Sequence, residues 1–183
     1  MRIQELFLER LTQNKSRIFI AEREHFSNSF CMLKYVLEKY FDIYIYESDL
    51  YYGRYGKPYL KNKGIYYNIS HSGIYIVIAL SLKEIGIDIQ LVKNKIDWDC
   101  FFSESESNMV KNDISDEVLG FSVLWSCKEA YLKKIGSGLA IDYSTILFNT
   151  MKTQFFYHRN IINWTVIESG SERYVLSLCL GID

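Results

Sequence analysis

Between residues 65 and 91 the chain reads IYYNIS, IYIVIALSL and IGIDIQL, with only the SHSG turn and the pair KE between them. In IGIDIQL apolar and polar residues alternate at period two, the signature of a strand with one buried face. Connections this short allow antiparallel hairpins and leave no room for a crossover. The segment predicts a three-stranded antiparallel meander.

The third of these strands is unusual. Ile85, Ile87, Ile89 and Leu91 fall on one face, and Gly86, Asp88 and Gln90 on the other. A carboxylate and a carboxamide, about 6–7 Å apart along the backbone, sit behind a glycine that leaves the approach open.

Upstream, Phe26, Phe30, Leu33, Leu37 and Tyr40 recur at spacings of four, three, four and three, which predicts an amphipathic helix over 22–40. DIYIYE, 42–47, alternates as a strand, and the tyrosine- and glycine-rich SDLYYGRYGKP that follows cannot be helical through Gly56, Lys57 and Pro58. Downstream, Ser103 and Glu106 stand at capping-box spacing, and Ser115-Asp116-Glu117 offers a second helix start. That second helix is expected to run to about Lys134 and to stop at Gly136. STILFN, QFFYH, IINWTVIE and RYVLSLCLGI then read as strands. A helix followed by antiparallel strands thus occurs twice, so the fold class is α+β with a seam near 92, dividing 1–92 from 93–183.

At 183 residues and 49% hydrophobic, the chain can bury a sizeable core. A formal charge of −1 gives no global attraction for nucleic acid or an anionic membrane. No apolar run approaches the roughly 20 residues that span a bilayer, and MRIQELFLERLTQ lacks the hydrophobic block of a signal peptide, so a cytoplasmic protein is expected. Cys31, Cys100, Cys127 and Cys179 have no paired spacing, and with only His25, His71 and His158 a multi-histidine site is disfavoured. A metal here would use oxygen ligands.

The second charged constellation is WSCKEAYLKK, 125–134, within the second helix. Trp125, Glu129 and Lys133 are four apart and line one face, with Lys128 at its flank. On spacing alone, Glu129 and Lys133 are equally an ordinary surface ion pair.

In order, GKP at 56–58, NISHS at 68–72, GIDIQ at 86–90, FFSESE at 101–106 and WSCKEAYLKK at 125–134 resemble the motifs of the surfactin-synthetase-type 4′-phosphopantetheinyl transferases. The likeness covers about residues 53–139, and helix 22–40 is similar to the family's first helix. It implies two similar helix-plus-sheet lobes about a pseudo-twofold axis, with coenzyme A in the cleft between them. It also implies a reaction, in which the phosphopantetheine arm of coenzyme A moves to a serine of an acyl or peptidyl carrier protein and adenosine 3′,5′-bisphosphate is released. The partner brings the nucleophile, which suits a chain without a G-x-S-x-G motif.

By the same resemblance Asp88, Gln90 and Glu129 would hold Mg²⁺ against the pyrophosphate. Asp88, Glu129 and Lys133 would be catalytic, Glu129 as candidate base and Lys133 as the group stabilising the leaving bisphosphate. Lys128 and Lys133 would contact phosphates, Ser70 and His71 the ribose 3′-phosphate, and Lys57 and Pro58 the adenine wall, with Lys15 a further phosphate contact. The family usually has Glu where this chain has Gln90, so a weaker metal site is expected. For Glu106, the capping box with Ser103 is the favoured role. A monomer is expected, and the carrier would dock around 101–121, where Lys111 could steer an acidic partner. The rival readings are a catalytically impaired coenzyme A or carrier-binding module and a metal-dependent pyrophosphatase.

Overall fold

The structure, a computed structural model, describes residues 3–6, 16–93, 101–113, 115–148 and 154–182, apart from the side chains of residues 113, 139 and 156. Its strands are β1 (Gln4–Leu6), β2 (Ser16–Glu22), β3 (Leu50–Tyr52), β4 (Pro58–Leu60), β5 (Tyr66–Ser72), β6 (Tyr75–Ser81), β7 (Ile85–Leu91), β8 (Gln154–Tyr157), β9 (Asn160–Ser169) and β10 (Glu172–Gly181). The helices are α1 (Ser29–Phe41), α2 (Glu104–Asp113) and α3 (Glu117–Ile135). Among the described residues every ladder is antiparallel, in sheets ordered β1-β2-β6-β5 and β7-β10-β9-β8, with β3-β4 as a separate hairpin. The chain is therefore α+β, as its patterning predicts. None of its described helices is long and apolar enough to cross a membrane.

Period-two alternation decides how the layers stack. Phe19, Ile76 and Ile78 of the first sheet pack on Leu33, Val36 and Leu37 of α1. From the opposite face of the same strands, Ile18, Ile20, Val77 and Ala79 meet Ile85, Ile87, Ile89 and Leu176 of the second sheet. The outer face of the second sheet, with Val175 and Cys179, is covered by Val123, Leu124 and Cys127 of α3. The order is α1, first sheet, second sheet, α3, with Val110 of α2 joining the outer cluster beside α3.

Three expectations fail in instructive ways. The first helix begins at Ser29 rather than near Glu22, because the Asn28 side chain accepts from the Cys31 amide at 2.9 Å and caps it there. The segment 42–46 is not a strand: Asp42 takes the left-handed conformation that ends α1, and Ile45 is fully buried while Tyr44 and Tyr46 are exposed. The alternation reports burial there, not a ladder. STILFN, likewise, is a single 3₁₀ turn over Tyr143–Thr145 followed by irregular chain as far as 148.

The meander is corrected as well. β5 and β6 form the expected hairpin, but β7 leaves them and pairs with β10, Asp88 opposite Ser177 and Gln90 opposite Val175. Its free edge is satisfied by side chains rather than backbone. Asn68 Oδ1 accepts from Ile87 N at 2.8 Å, Ser70 Oγ from Ile89 N at 3.3 Å and Ser72 Oγ from Leu91 N at 2.9 Å. Three polar side chains at period two on β5 thus replace a strand and lace the two sheets together. The expected seam at 92 falls just after β7, which lies in the sheet formed otherwise by β8–β10.

Gly86 is where α3 crosses β7. A Cβ there would lie 1.9 Å from the Ala130 carbonyl oxygen and 2.5 Å from the Lys134 amide nitrogen, both backbone atoms. The glycine admits a helix, not a ligand. Gly86→Ala is expected to cost about 3 kcal/mol, measured by urea unfolding, and a loss below about 1 kcal/mol would show that α3 can ride away from the sheet.

Candidate active site

Asp88 points toward α3 because Ile87 and Ile89 on either side of it fill the inter-sheet core. It is buried, and its Oδ1 accepts from Ser70 Oγ at 2.8 Å and from Lys133 Nζ at 2.6 Å. Lys133 also donates to Ser70 Oγ at 2.8 Å, so β5, β7 and α3 each contribute one corner of a closed triangle. Asp88 Oδ2 is buried with no hydrogen-bond partner among the described residues.

Glu129 sits one turn before Lys133, its Oε2 4.0 Å from the ammonium. Its Oε1 accepts a hydrogen bond from the Tyr143 hydroxyl. Burial pushes the Glu129 carboxyl above its ordinary range and Asp88 pushes it further, while Tyr143 and Lys133 act the other way. Tyr143 is itself buried, which raises its hydroxyl and keeps it a donor.

Two carboxylates that repel each other, one with a buried unpartnered oxygen, make a donor set short of positive charge. Such a set fits a hard divalent cation. Gln90 shares their side of β7, but its Nε2 donates to the Leu91 carbonyl at 3.0 Å, which leaves one neutral oxygen as all it can offer. Glu22, Glu24 and His25 also gather, their ligand atoms within 4.8 Å of one another. Both of these glutamates are exposed, as solvated acids on a turn commonly are.

The structure separates other residues that the sequence groups together. Successive residues of β5 face opposite ways, so Ser70 joins Asp88 while His71 opens to the α1 side. His71 borders a groove of about 610 Å³ with Arg23, Ser27 and Asn28, and a second of about 380 Å³ with Pro58, Tyr52 and Asn68. Lys57 is buried, donating to the Lys134 carbonyl at 2.6 Å and the Ile85 carbonyl at 3.3 Å, and burial lowers its ammonium to about 8. It clasps the end of α3 to the start of β7. Lys15 lies outside the described residues.

Lys128 is not brought to the cluster. Its ammonium is fully enclosed, 2.8 Å from Glu106 Oε2 and donating to the Tyr143 carbonyl at 2.9 Å. Glu106 does form the capping box, accepting from Ser103 N at 3.0 Å, while Ser103 Oγ accepts from Glu106 N at 3.3 Å. The same carboxylate also anchors α2 to α3 through Lys128. Spacing reveals the first role and cannot reveal the second.

Tyr143 is the residue the sequence conceals. Its ring stacks on Trp125 at 4.9 Å and 3°, and Phe101 packs edge-on against both, at 4.9 Å from Trp125 and 5.9 Å from Tyr143. Nothing about DYST in a loop announces a partner for a glutamate on the preceding helix.

Comparison with known proteins bears on what this cluster does. Residues 84–179 match the family model of the 4′-phosphopantetheinyl transferase superfamily, a span that holds Asp88, Glu129, Lys133 and Tyr143. The chain is similar to 4′-phosphopantetheinyl transferase gsp of Aneurinibacillus migulanus, 36% identical over 104 residues, which are 55% of this chain and 43% of that protein. It is similar also to a 4′-phosphopantetheinyl transferase of Bacillus subtilis, 42% identical over 91 residues, 48% of this chain and 41% of the relative. A third relative, 4′-phosphopantetheinyl transferase Sfp of Bacillus subtilis strain 168, is 37% identical over 92 residues, 48% and 41% of the two chains. The matched stretches thus span less than half the length of these relatives.

Proposed function

Because this chain belongs to the 4′-phosphopantetheinyl transferase superfamily, we propose that it transfers the phosphopantetheine arm of coenzyme A to a serine of an acyl or peptidyl carrier protein. The observation that carries the reading is the meeting of Asp88, Glu129 and Lys133 where α3 crosses β7. A new P–O bond forms between the serine oxygen and the phosphorus that bears the pantetheine. The bond from that phosphorus to the bridging oxygen breaks, and its electron pair leaves with adenosine 3′,5′-bisphosphate.

Asp88 and Glu129 would hold Mg²⁺, with the Gln90 carboxamide beside them. When bound, the ion supplies positive charge against the pyrophosphate. Lys133 is within reach of both carboxylates and would turn one N–H to the departing phosphate, which stabilises charge as it develops. Glu129, raised by burial first and by Asp88 as well, is a stronger base than an ordinary carboxylate and would accept the serine proton.

His71 and Pro58 border grooves that would take the adenosine end of coenzyme A. The division into lobes 1–92 and 93–183 about a pseudo-twofold axis belongs to the same proposal, supported by the packing of a helix on the outer face of each sheet, α1 on one and α3 on the other.

The test is to incubate the protein with coenzyme A, Mg²⁺ and a panel of apo carrier proteins and to read each carrier's intact mass. A chelator-sensitive gain of one phosphopantetheine is the expected result. Binding of coenzyme A with no gain on any carrier would favour a binding module instead, and cleavage of coenzyme A without a carrier would favour a pyrophosphatase.

Gln90 supplies a separate prediction. Restoring a charged ligand with Gln90→Glu should lower the Mg²⁺ needed for half-maximal rate roughly ten-fold. An unchanged or higher requirement would mean that position 90 does not face the ion.

A further inference from the structure

We propose that Tyr143 is a positioning residue that fixes the Glu129 carboxylate and so decides which of its oxygens faces Lys133; this rests on the reading of the cluster as the metal and pyrophosphate centre. A glutamate side chain has three rotatable bonds, and left alone its carboxylate samples many orientations. Here it is tied at its far end. The Tyr143 hydroxyl takes Oε1, which leaves Oε2 as the oxygen turned toward Lys133 at 4.0 Å.

Tyr143 can hold that position because it is itself held on several sides. The ring lies flat against Trp125, only 3° from parallel, with Phe101 at its edge. The Tyr143 carbonyl accepts from Lys128 at 2.9 Å, and Lys128 is locked 2.8 Å from Glu106 in a fully buried ion pair. Its own 3₁₀ turn is capped by Asp142, whose Oδ1 accepts from Ser144 N at 2.9 Å. The hydroxyl is therefore a fixed point against which a flexible carboxylate is aligned. That alignment matters more in this chain than beside a second acidic ligand, since Gln90 offers a cation only one neutral oxygen.

The consequence is a residue outside the ligand set that acts on the metal through one of the ligands. Hydrogen-bond partners of this kind change metal affinity by roughly 10–100-fold when removed. Trp125 touches Tyr143 by stacking on its ring, and its loss should have the smaller effect.

The experiment uses Tyr143→Phe, which keeps the stack and deletes only the hydroxyl. Mn²⁺ is titrated into the full chain with coenzyme A present and no carrier, so that nothing turns over, and free Mn²⁺ is followed by electron paramagnetic resonance. The expected result is a Kd for Mn²⁺ raised roughly ten-fold or more, a matching rise in the Mg²⁺ needed for half-maximal transfer, and a melting temperature within a few degrees of wild type.

Unchanged Mn²⁺ affinity in Tyr143→Phe would overturn the proposal. So would weaker binding in Trp125→Leu alone, since packing and not the hydroxyl would then be responsible. Failure of the wild-type protein to bind Mn²⁺ with coenzyme A would overturn the metal reading itself, and this inference with it.

Discussion

Glu129→Gln is expected to slow phosphopantetheine transfer by roughly 10²–10³-fold without unfolding the protein. The amide is isosteric, keeps an oxygen for the Tyr143 hydroxyl and removes only the charge that a cation and a serine proton would need. The stability effect has the opposite sign. The Glu129 carboxyl lies above its ordinary 4.5 because of burial first and Asp88 among the rest, so its ionised form is unfavourable in the folded state.

A raised folded pKa means that the favourable contribution is complete below 4.5 and is lost as pH rises through the folded value. At neutral pH the neutral amide should therefore equal or exceed wild type in stability, and the gap should close as pH falls toward 4.5. Single-turnover mass spectrometry and urea unfolding at several pH values would measure both halves. A variant that transfers at the wild-type rate would remove Glu129 from the chemistry. One that is less stable than wild type at neutral pH would mean its charge is well compensated.

Lys128→Met should be the more damaging change to the fold. It leaves the Glu106 carboxylate fully buried without its cation, a loss of about 3–5 kcal/mol. Burial already lowers the Lys128 ammonium, with Glu106 holding it up, so each charge is tolerable only beside the other. Replacing both, as Lys128→Met with Glu106→Leu, removes the mismatch and should recover most of the stability. The double variant also separates two roles for Lys128. If it folds and transfers phosphopantetheine, the lysine only ties α2 to α3; if it folds and is inactive, the lysine serves the site as well, through Tyr143 or at the phosphates. A single variant that loses less than about 1 kcal/mol would mean that water reaches Glu106.

Much of this arrangement is legible in one dimension. Strands 66–72, 75–81 and 85–91 and the limits of α3, from its Asp116 cap to Gly136, follow from alternation, capping residues and a glycine, because each is decided within a few residues of itself. The pairing of Glu129 with Lys133 is visible for the same reason, since four residues is one helical turn. The motifs also name Asp88 as a partner for that turn.

What the local pattern misreads is whatever depends on a distant neighbour. A short connection predicts that β7 will pair with β6, yet side chains of Asn68, Ser70 and Ser72 occupy the edge where β6 would not reach, and β10 takes the other. Gly86 looks like an opening until α3 is laid across it. Lys128 and Lys133 stand on the same helix with the same charge, and only their neighbours make one a buried strut and the other part of the site.

The sequence by itself therefore determined the α+β class, strands 66–72, 75–81 and 85–91, the span of α3, and the family to which the chain belongs. Tertiary structure alone decided that β7 joins the second sheet, that Ser70 rather than His71 meets Asp88, and that Tyr143 holds Glu129. The physical reason is range. Periodicity and capping act over one or two turns, whereas hydrogen bonds between groups far apart in the chain form only after packing has set their distance and removed their water.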